Sequence, residues 1–224
     1  MNPVPTSMTT SNARATASRF ATCLGMLLLA GCSILGPKPK DAATVYAPDP
    51  RVQAEASWPT VRWQLALGRP QGARNIDSQR IAVRPTPNEL QVYKGAQWAK
   101  PPGEMLEDAL LRALEDSGRI PAVGRQGSGI GADYRLLLDL RRFESDYAGN
   151  ATPAATIEVS AKLLHVKSQQ VVASRTFLQA QPAAGTAVPE VVNAFEQALA
   201  TISRDLAGWT LTTGNSYEPV ARAK

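Results

Sequence analysis

Residues 133–180 read as three strands in succession, and no other stretch restricts the fold as much. The segments are DYRLLLDLRRFES, ATIEVSAKLLHV and QVVASRTFLQA, all rich in branched and aromatic residues. In the second, Ile157, Val159, Ala161 and Leu163 share one side, with His165 in phase. The polar link KSQQ at 167–170 suits a tight antiparallel hairpin between the second and third. A sheet with an apolar face needs a cover. The segment from about Val188 to Trp209 supplies one, because Val188, Val192, Phe195, Leu199, Ile202, Leu206 and Trp209 recur at spacings of four and three. Three heptads of this kind also suit a coiled coil. Packing on the sheet is the preferred reading, since the strands otherwise lack a partner.

The first half of the domain alternates the same element types. TVRWQLALG places Val61, Trp63, Leu65 and Leu67 on one side of a strand. QRIAVRP is a short strand stopped by Pro85, and ELQVYKGAQW is a strand with a turn or bulge at Gly95. The period then changes. Pro101 and Pro102 open a helix that runs to about Ser117, burying Leu106, Ala109, Leu110, Ala113 and Leu114. Asp108 and Arg112 form an i,i+4 pair on its other face. Gly118 suits the C-terminal cap, and Pro121 prevents continuation. IPAV is a further strand, followed by the Gly-rich loop GRQGSGIGAD. The fold class is therefore α/β: an α/β sandwich with a mixed, largely antiparallel sheet and two amphipathic helices.

The N-terminus carries a different signal. Arg14 and Arg19 precede a short apolar segment, Phe20 to Ala30, of signal-peptide length and too short for a bilayer span. Leu29-Ala30-Gly31-Cys32 resembles the lipobox of bacterial lipoproteins. It implies cleavage before Cys32, a diacylglycerol thioether on that residue and a third acyl chain on its amine, an anchor with enough chains to hold a membrane. Ser33 stands where an Asp usually marks retention in the inner membrane, so the outer membrane is the expected destination. The expected organisation is a signal peptide over 1–31, the lipidated cysteine and a Pro- and Ala-rich tether over 32–56, the folded domain over 57–210, and a loose tail over 211–224. Thr44–Tyr46 is a candidate first strand inside the tether.

Composition narrows the chemistry. Removing 1–31 takes away two of the 24 Lys and Arg, leaving 22 against 19 acids, a net charge of +3. The basic residues are scattered, which argues against nucleic acid. The chain has two cysteines and one histidine, and Cys23 leaves with the signal, so a zinc site has too few ligands. His165 reads as structural. GSGIG at 127–131 lacks the Lys-Ser/Thr of a phosphate loop. Glu144, Asp146 and Glu158 are a weak carboxylate-pair candidate. Arg80, Arg84, Arg135, Arg141 and Arg142 are candidates for an anion, with pairing to Asp139 or Glu144 as the preferred reading. Trp63 and Trp98 read as core. No cofactor, no metal and no catalytic residue is expected.

The segment from Arg80 to Asp146 resembles the auxiliary lipoproteins of ABC-type transport systems, including the paraquat-inducible protein C-like lipoproteins. The matching pieces are QRIAVRPTPNELQVYKGAQWAKPPGEMLEDALLRALEDSG and ADYRLLLDLRRFES. Within them Trp98, Pro101, Asp133, Tyr134 and Phe143 stand at the family's fold-defining motif positions. The stretch Gly68–Ser78 departs from the family's pattern and reads as a variable loop. The resemblance implies a non-enzymatic partner of an MCE-domain periplasmic protein and its ABC permease and ATPase, which move lipids between the two Gram-negative membranes. Two other readings stand beside it: a carrier that holds a lipid in its own apolar pocket, and, more remotely, an envelope hydrolase. The edges of an open sheet also leave a homo-oligomer open.

Overall fold

The chain is described over residues 42–222 in a computed structural model, with side chains as far as Tyr217. Leu29, Ala30, Gly31, Cys32 and Ser33 lie outside the described residues, as does the signal segment. In chain order the elements are β1 (Thr44–Tyr46), β2 (Gln64–Leu67), β3 (Gln71–Gly72), β4 (Arg80–Arg84) and β5 (Gln91–Trp98), then α1 (Pro102–Ser117) and β6 (Ala122–Arg125). They are followed by β7 (Tyr134–Asp146), β8 (Ala154–His165), β9 (Gln170–Pro182) and α2 (Val188–Arg222). The α/β class is as expected: one mixed nine-stranded sheet and two helices.

Strand β7 organises the sheet. Along one edge it pairs antiparallel with β8 from Tyr134–His165 to Asp146–Ala154, and β9 pairs antiparallel with β8 over the same length. Along the other edge it takes three short parallel partners in turn: β2 at Tyr134–Leu136, β3 at Asp139–Leu140 and β4 at Ser145–Asp146. Beyond these, β6 adds parallel to β2, β5 antiparallel to β4, and β1 parallel to β5. The long ladders are antiparallel and the short ones mostly parallel. α1 carries the chain from β5, on one side of β7, to β6 at the far end of the sheet.

A bulge sets the side-chain phase of β7. Its register on β8 shifts between Leu140 and Arg142, so Arg141 is the extra residue. Before the bulge Leu136, Leu138 and Leu140 are buried, and after it Phe143 is. The switch from even to odd numbers lets one strand feed the core at both ends, and it puts Arg142 and Glu144 together on one side. Strand β5 is irregular as well: its register against β4 shifts between Arg80 and Ala82, and Gly95 has φ +68°, the conformation anticipated for a bulge.

Helix α2 lies across β8 and β9, and α1 packs on α2 and β6. Between them Trp98, Phe143 and Phe195 are fully enclosed. Phe143 stacks on Phe195 at 4.7 Å, and the edge of Trp98 meets Phe195 at 5.2 Å and Phe143 at 5.9 Å. The expected stripes of both helices are the buried ones, with Val188 and Trp209 partly covered. At the C-terminus of α1, Gly118 adopts φ 62° and its N–H donates to the Glu115 carbonyl. At the N-terminus no side chain of the helix's own cap serves. Asp77, from the loop before β4, accepts the Gly103 N–H at 2.8 Å instead. The variable stretch thus holds a structural residue.

The structure corrects several boundaries. β2 starts at Gln64, because the Val61 N–H donates to the Arg119 carbonyl rather than to a strand, although Val61 and Trp63 are buried as expected. β6 lies two residues later than IPAV, and β3 was not anticipated. Ordered structure begins well before residue 57, since β1 pairs with β5, Pro50 is buried and Val52 packs on the core. The Asp108–Arg112 pair does not form: Asp108 binds Lys100 and Arg125, and Arg112 binds Asp49. The expected loose tail is helical as far as Arg222. Its residues are poor helix formers, but tertiary contacts override this. Leu211 is fully buried, and a Cβ at Gly214 would collide with the ring of Trp63. Tyr134 donates its hydroxyl to the Gly214 carbonyl at 3.3 Å. Ending the chain after Thr210 is therefore expected to cost about 2 kcal/mol or more, the scale for losing one buried leucine. Urea denaturation measures this, and a dispensable tail would leave the midpoint unmoved.

Candidate functional site

The motif residues fall at two ends of β7. At its start, the Asp133 carboxylate accepts the Gln64 N–H at 2.8 Å, and its own N–H donates to the Gln64 carbonyl at 3.0 Å. The Asp133 carbonyl accepts the Val166 N–H at 2.8 Å. One residue thereby clasps β2, β7 and the end of β8. Tyr134 follows, fully buried, with the edge of Trp63 4.9 Å from its ring and Tyr217 and His165 beyond. His165 bonds through Nδ1 to Ser168 at 2.9 Å and sits among aromatic rings. At the other end Phe143 joins Trp98 and Phe195. The Trp98 N–H donates to the Gln79 carbonyl at 2.7 Å, and the Ala99 N–H to the Tyr46 carbonyl at 2.8 Å. Pro101 offers its carbonyl to the Met105 N–H at 3.1 Å, starting α1. The structure does not bring the five motif residues into one cleft. It places each where a chain segment must be aimed.

The charged candidates are brought together around Glu144. Its side chain is 1% exposed and accepts a bidentate pair from Arg84, Nε and Nη2 both at 2.8 Å, and a third bond from Arg142 Nε at 2.7 Å. Arg84 also donates to the Pro87 carbonyl, and Arg142 reaches Asp146. Burial by itself would push the Glu144 carboxyl up. The two guanidinium groups outweigh that and hold it below the usual carboxylate range. Such a group is held as an anion and is poorly placed to donate a proton. Arg141 faces Asp139 at 3.4 Å and Glu158 at 3.6 Å. The preferred pairing reading of these arginines holds for Arg84, Arg141 and Arg142.

A second ionic cluster crosses the outer face of α1. Lys100 binds Asp108 at 2.6 Å, and Arg125 binds both Asp108 and Glu107. Burial would raise Asp108, but its hydrogen bonds to Lys100 and Arg125 lower it; Glu107, desolvated and 3.4 Å from Arg125, is raised. These residues line open clefts that also touch Asp49, Arg112 and Arg69. Neither Lys100 nor its partners stood out as a cluster in the sequence. Residues 127–131 lie in a loop, as expected. Among the described residues no group of three His, Cys, Asp or Glu is placed to hold a metal, and no helix is long and apolar enough to cross a membrane.

Comparison with known proteins decides the family. The family model described as the ABC-type transport auxiliary lipoprotein component matches residues 44–207. The chain belongs to this family. A crystal structure of a protein from Xanthomonas campestris is 56% identical, covers 79% of this chain and 99% of its own, and superposes with a TM-score of 0.77. The crystal structure of an uncharacterised protein, 16% identical over 74% of this chain and 97% of its own, shares the fold with a TM-score of 0.58. An uncharacterised protein of Bradyrhizobium diazoefficiens is 28% identical over 152 residues, 68% of this chain. This chain spans 40% of that relative's length. Membership identifies a lipoprotein component accessory to ABC-type transport, and hence a protein of the cell envelope.

The Glu144 cluster predicts a pH dependence. A carboxyl whose folded-state pKa is depressed stabilises the fold above its unfolded value, about 4.3, and loses that contribution as pH falls through the folded value. Glu144→Gln is expected to cost about 3 kcal/mol at pH 7, since it leaves two partly buried guanidinium groups short of a counter-charge. Urea unfolding between pH 7 and pH 3 should show the wild type and the variant converging in acid. Parallel curves would remove the assigned role.

Proposed function

We propose that the protein is anchored by acylated Cys32 to the periplasmic face of the Gram-negative outer membrane. There it serves an MCE-type ABC system that moves lipids between the two membranes. It acts by docking on the MCE-domain protein rather than by catalysis. The observation that carries this reading is the family match from residue 44 onward, twelve residues after a lipobox cysteine. The intervening segment gives reach, and the folded domain supplies the surface.

The geometry favours docking over the two other readings. A carrier needs an apolar cavity between sheet and helices. That space is occupied by Trp98, Phe143, Phe195, Leu106 and Leu110, all fully buried. A hydrolase needs an acid or base free to titrate. Glu144 is instead committed to two arginines.

Cys32→Ala is expected to abolish incorporation of labelled fatty acid and release the protein from the membrane fraction, while the circular dichroism of the domain is unchanged. Labelling of that variant would refute the anchor. Copurification of the full-length protein in mild detergent, with mass spectrometry of proteins and lipids, tests the partner. Recovery of an MCE-domain protein is the expected result. Recovery of stoichiometric lipid alone would replace docking with carriage.

A further inference from the structure

Arg175 is one of the arginines that have no carboxylate partner among the described residues, and the one of these that sits on an aromatic ring. Arg175 lies on edge strand β9, opposite Ala161, on the side of the sheet that carries α2. Its guanidinium carbon sits 4.8 Å above the centre of the Phe177 ring, and Phe177 meets the edge of Trp209 at 5.7 Å. Arg84, Arg112, Arg125, Arg141, Arg142 and Arg204 each have a carboxylate partner. Among the described residues Arg175 has neither an ion pair nor a hydrogen bond, only the ring.

Arg175 also lines a cleft of about 560 Å³ between α2 and the segment before β2. Trp58 and Trp209 supply apolar walls, and Thr212 and Thr213 also line it. A carbon added at Gly208 would lie 2.6 Å from Trp58 Nε1, so the missing side chain is what lets that indole seat against the helix. Two acids share the cleft, and both lie on one cation: Arg204 is 3.2 Å from Glu55 and 2.9 Å from Asp205. The lining is neutral in sum but divided. β9 contributes a lone guanidinium on an aromatic ring. α2 and the segment before β2 contribute two carboxylates with one guanidinium between them.

That division matches a ligand carrying both signs. A bare anion would satisfy Arg175 and face the acid surplus. A bare cation would do the reverse. A phosphate joined to an amine through two carbons satisfies both, with the indoles covering the linker and anything attached to it. We propose that this cleft takes the zwitterionic head of a phosphoethanolamine, with Arg175 on the phosphate and the Glu55–Arg204–Asp205 cluster facing the ammonium. The same chemistry reaches the cleft as a phosphatidylethanolamine head or as a free phosphoester. The proposal goes beyond docking and stands whether or not an MCE-domain partner is recovered.

The test is native mass spectrometry of the full-length protein in a neutral detergent. The probes are dihexanoyl phosphatidylethanolamine, dihexanoyl phosphatidylglycerol and O-phosphoethanolamine. The expected result is a saturable single adduct with the ethanolamine lipid, about tenfold weaker in Arg175→Gln, the loss expected for one charge-assisted hydrogen bond. Lys94→Gln removes an exposed charge on β5 and should bind like wild type, which separates the cleft from general attraction. An adduct with O-phosphoethanolamine of similar strength would identify the source as a free phosphoester, and an adduct with the lipid alone would identify a membrane head group. Equal binding of the glycerol lipid, no adduct with either ethanolamine probe, or an unchanged affinity in Arg175→Gln would overturn the proposal.

Discussion

Everything in this fold is hung on one strand that is shared by two different kinds of sheet. β7 is the middle of a long antiparallel ladder on one edge and the common partner of three short parallel strands on the other. A strand in that position is buried over most of its length and cannot keep a simple alternation, because the core it feeds changes direction along it. The extra residue at Arg141 resolves the conflict. It lets Leu136, Leu138 and Leu140 meet the core at one end, and Phe143 meet Trp98 and Phe195 at the other. Remove the shift and Phe143 would exchange places with its polar neighbours.

The shift has an electrostatic consequence. After the bulge, Arg142 and Glu144 occupy the same side, and Glu144 becomes fully enclosed where β4 arrives. β4 contributes only two residues to its pairing with β7, too few to fix a parallel register by backbone alone. The bidentate contact from Arg84 to Glu144 adds a directional constraint at that point. A buried ion pair is weak as a source of net stability, but the wrong register would strand a buried carboxylate, and that is costly. The cluster is better understood as specifying which strand meets the end of β7 than as strengthening it.

This arrangement also explains what could be read from the chain. β8 and its hairpin were legible because one face is wholly buried and the alternation is regular, and the helix stripes were legible for the same reason. The Gly95 and Gly118 conformations were legible because glycine is the residue such backbones select. Three kinds of feature were not. Parallel pairings two or three residues long, such as that of β3, leave no periodic trace. The last turns of α2 consist of residues with low helix propensity, held by Trp63 and Tyr134 from sixty or more positions away in sequence. Ion pairs on α1 went to partners outside the helix, because Asp49, Lys100 and Arg125 come within reach of Asp108 and Arg112 once the sheet forms. The family motif residues were visible as a pattern. That Asp133 clasps three strands, and that Asp77 caps α1 from the variable loop, needed the structure.

A core filled in this way moves any recognition to the surface, and the surface is not uniform. Several of its cations are committed to carboxylates in clusters that tie neighbouring elements together: Asp49 to α1, Lys100 and Arg125 across its outer face, Arg204 to the segment before β2. Groups already neutralised by partners have little to offer a ligand, since each new contact must first break an existing one. Recognition is therefore concentrated where the pairing is incomplete. β9 is such a place. Its backbone is paired on one side only, Leu178 is 62% exposed on one of its faces, and Arg175 on the other face has an aromatic ring in place of a counter-ion. Natural edge strands are usually blunted by charge, proline or a covering element. β9 has a single charged residue before Pro182, so a sparsely charged edge of the sheet and a cation without a carboxylate partner coincide.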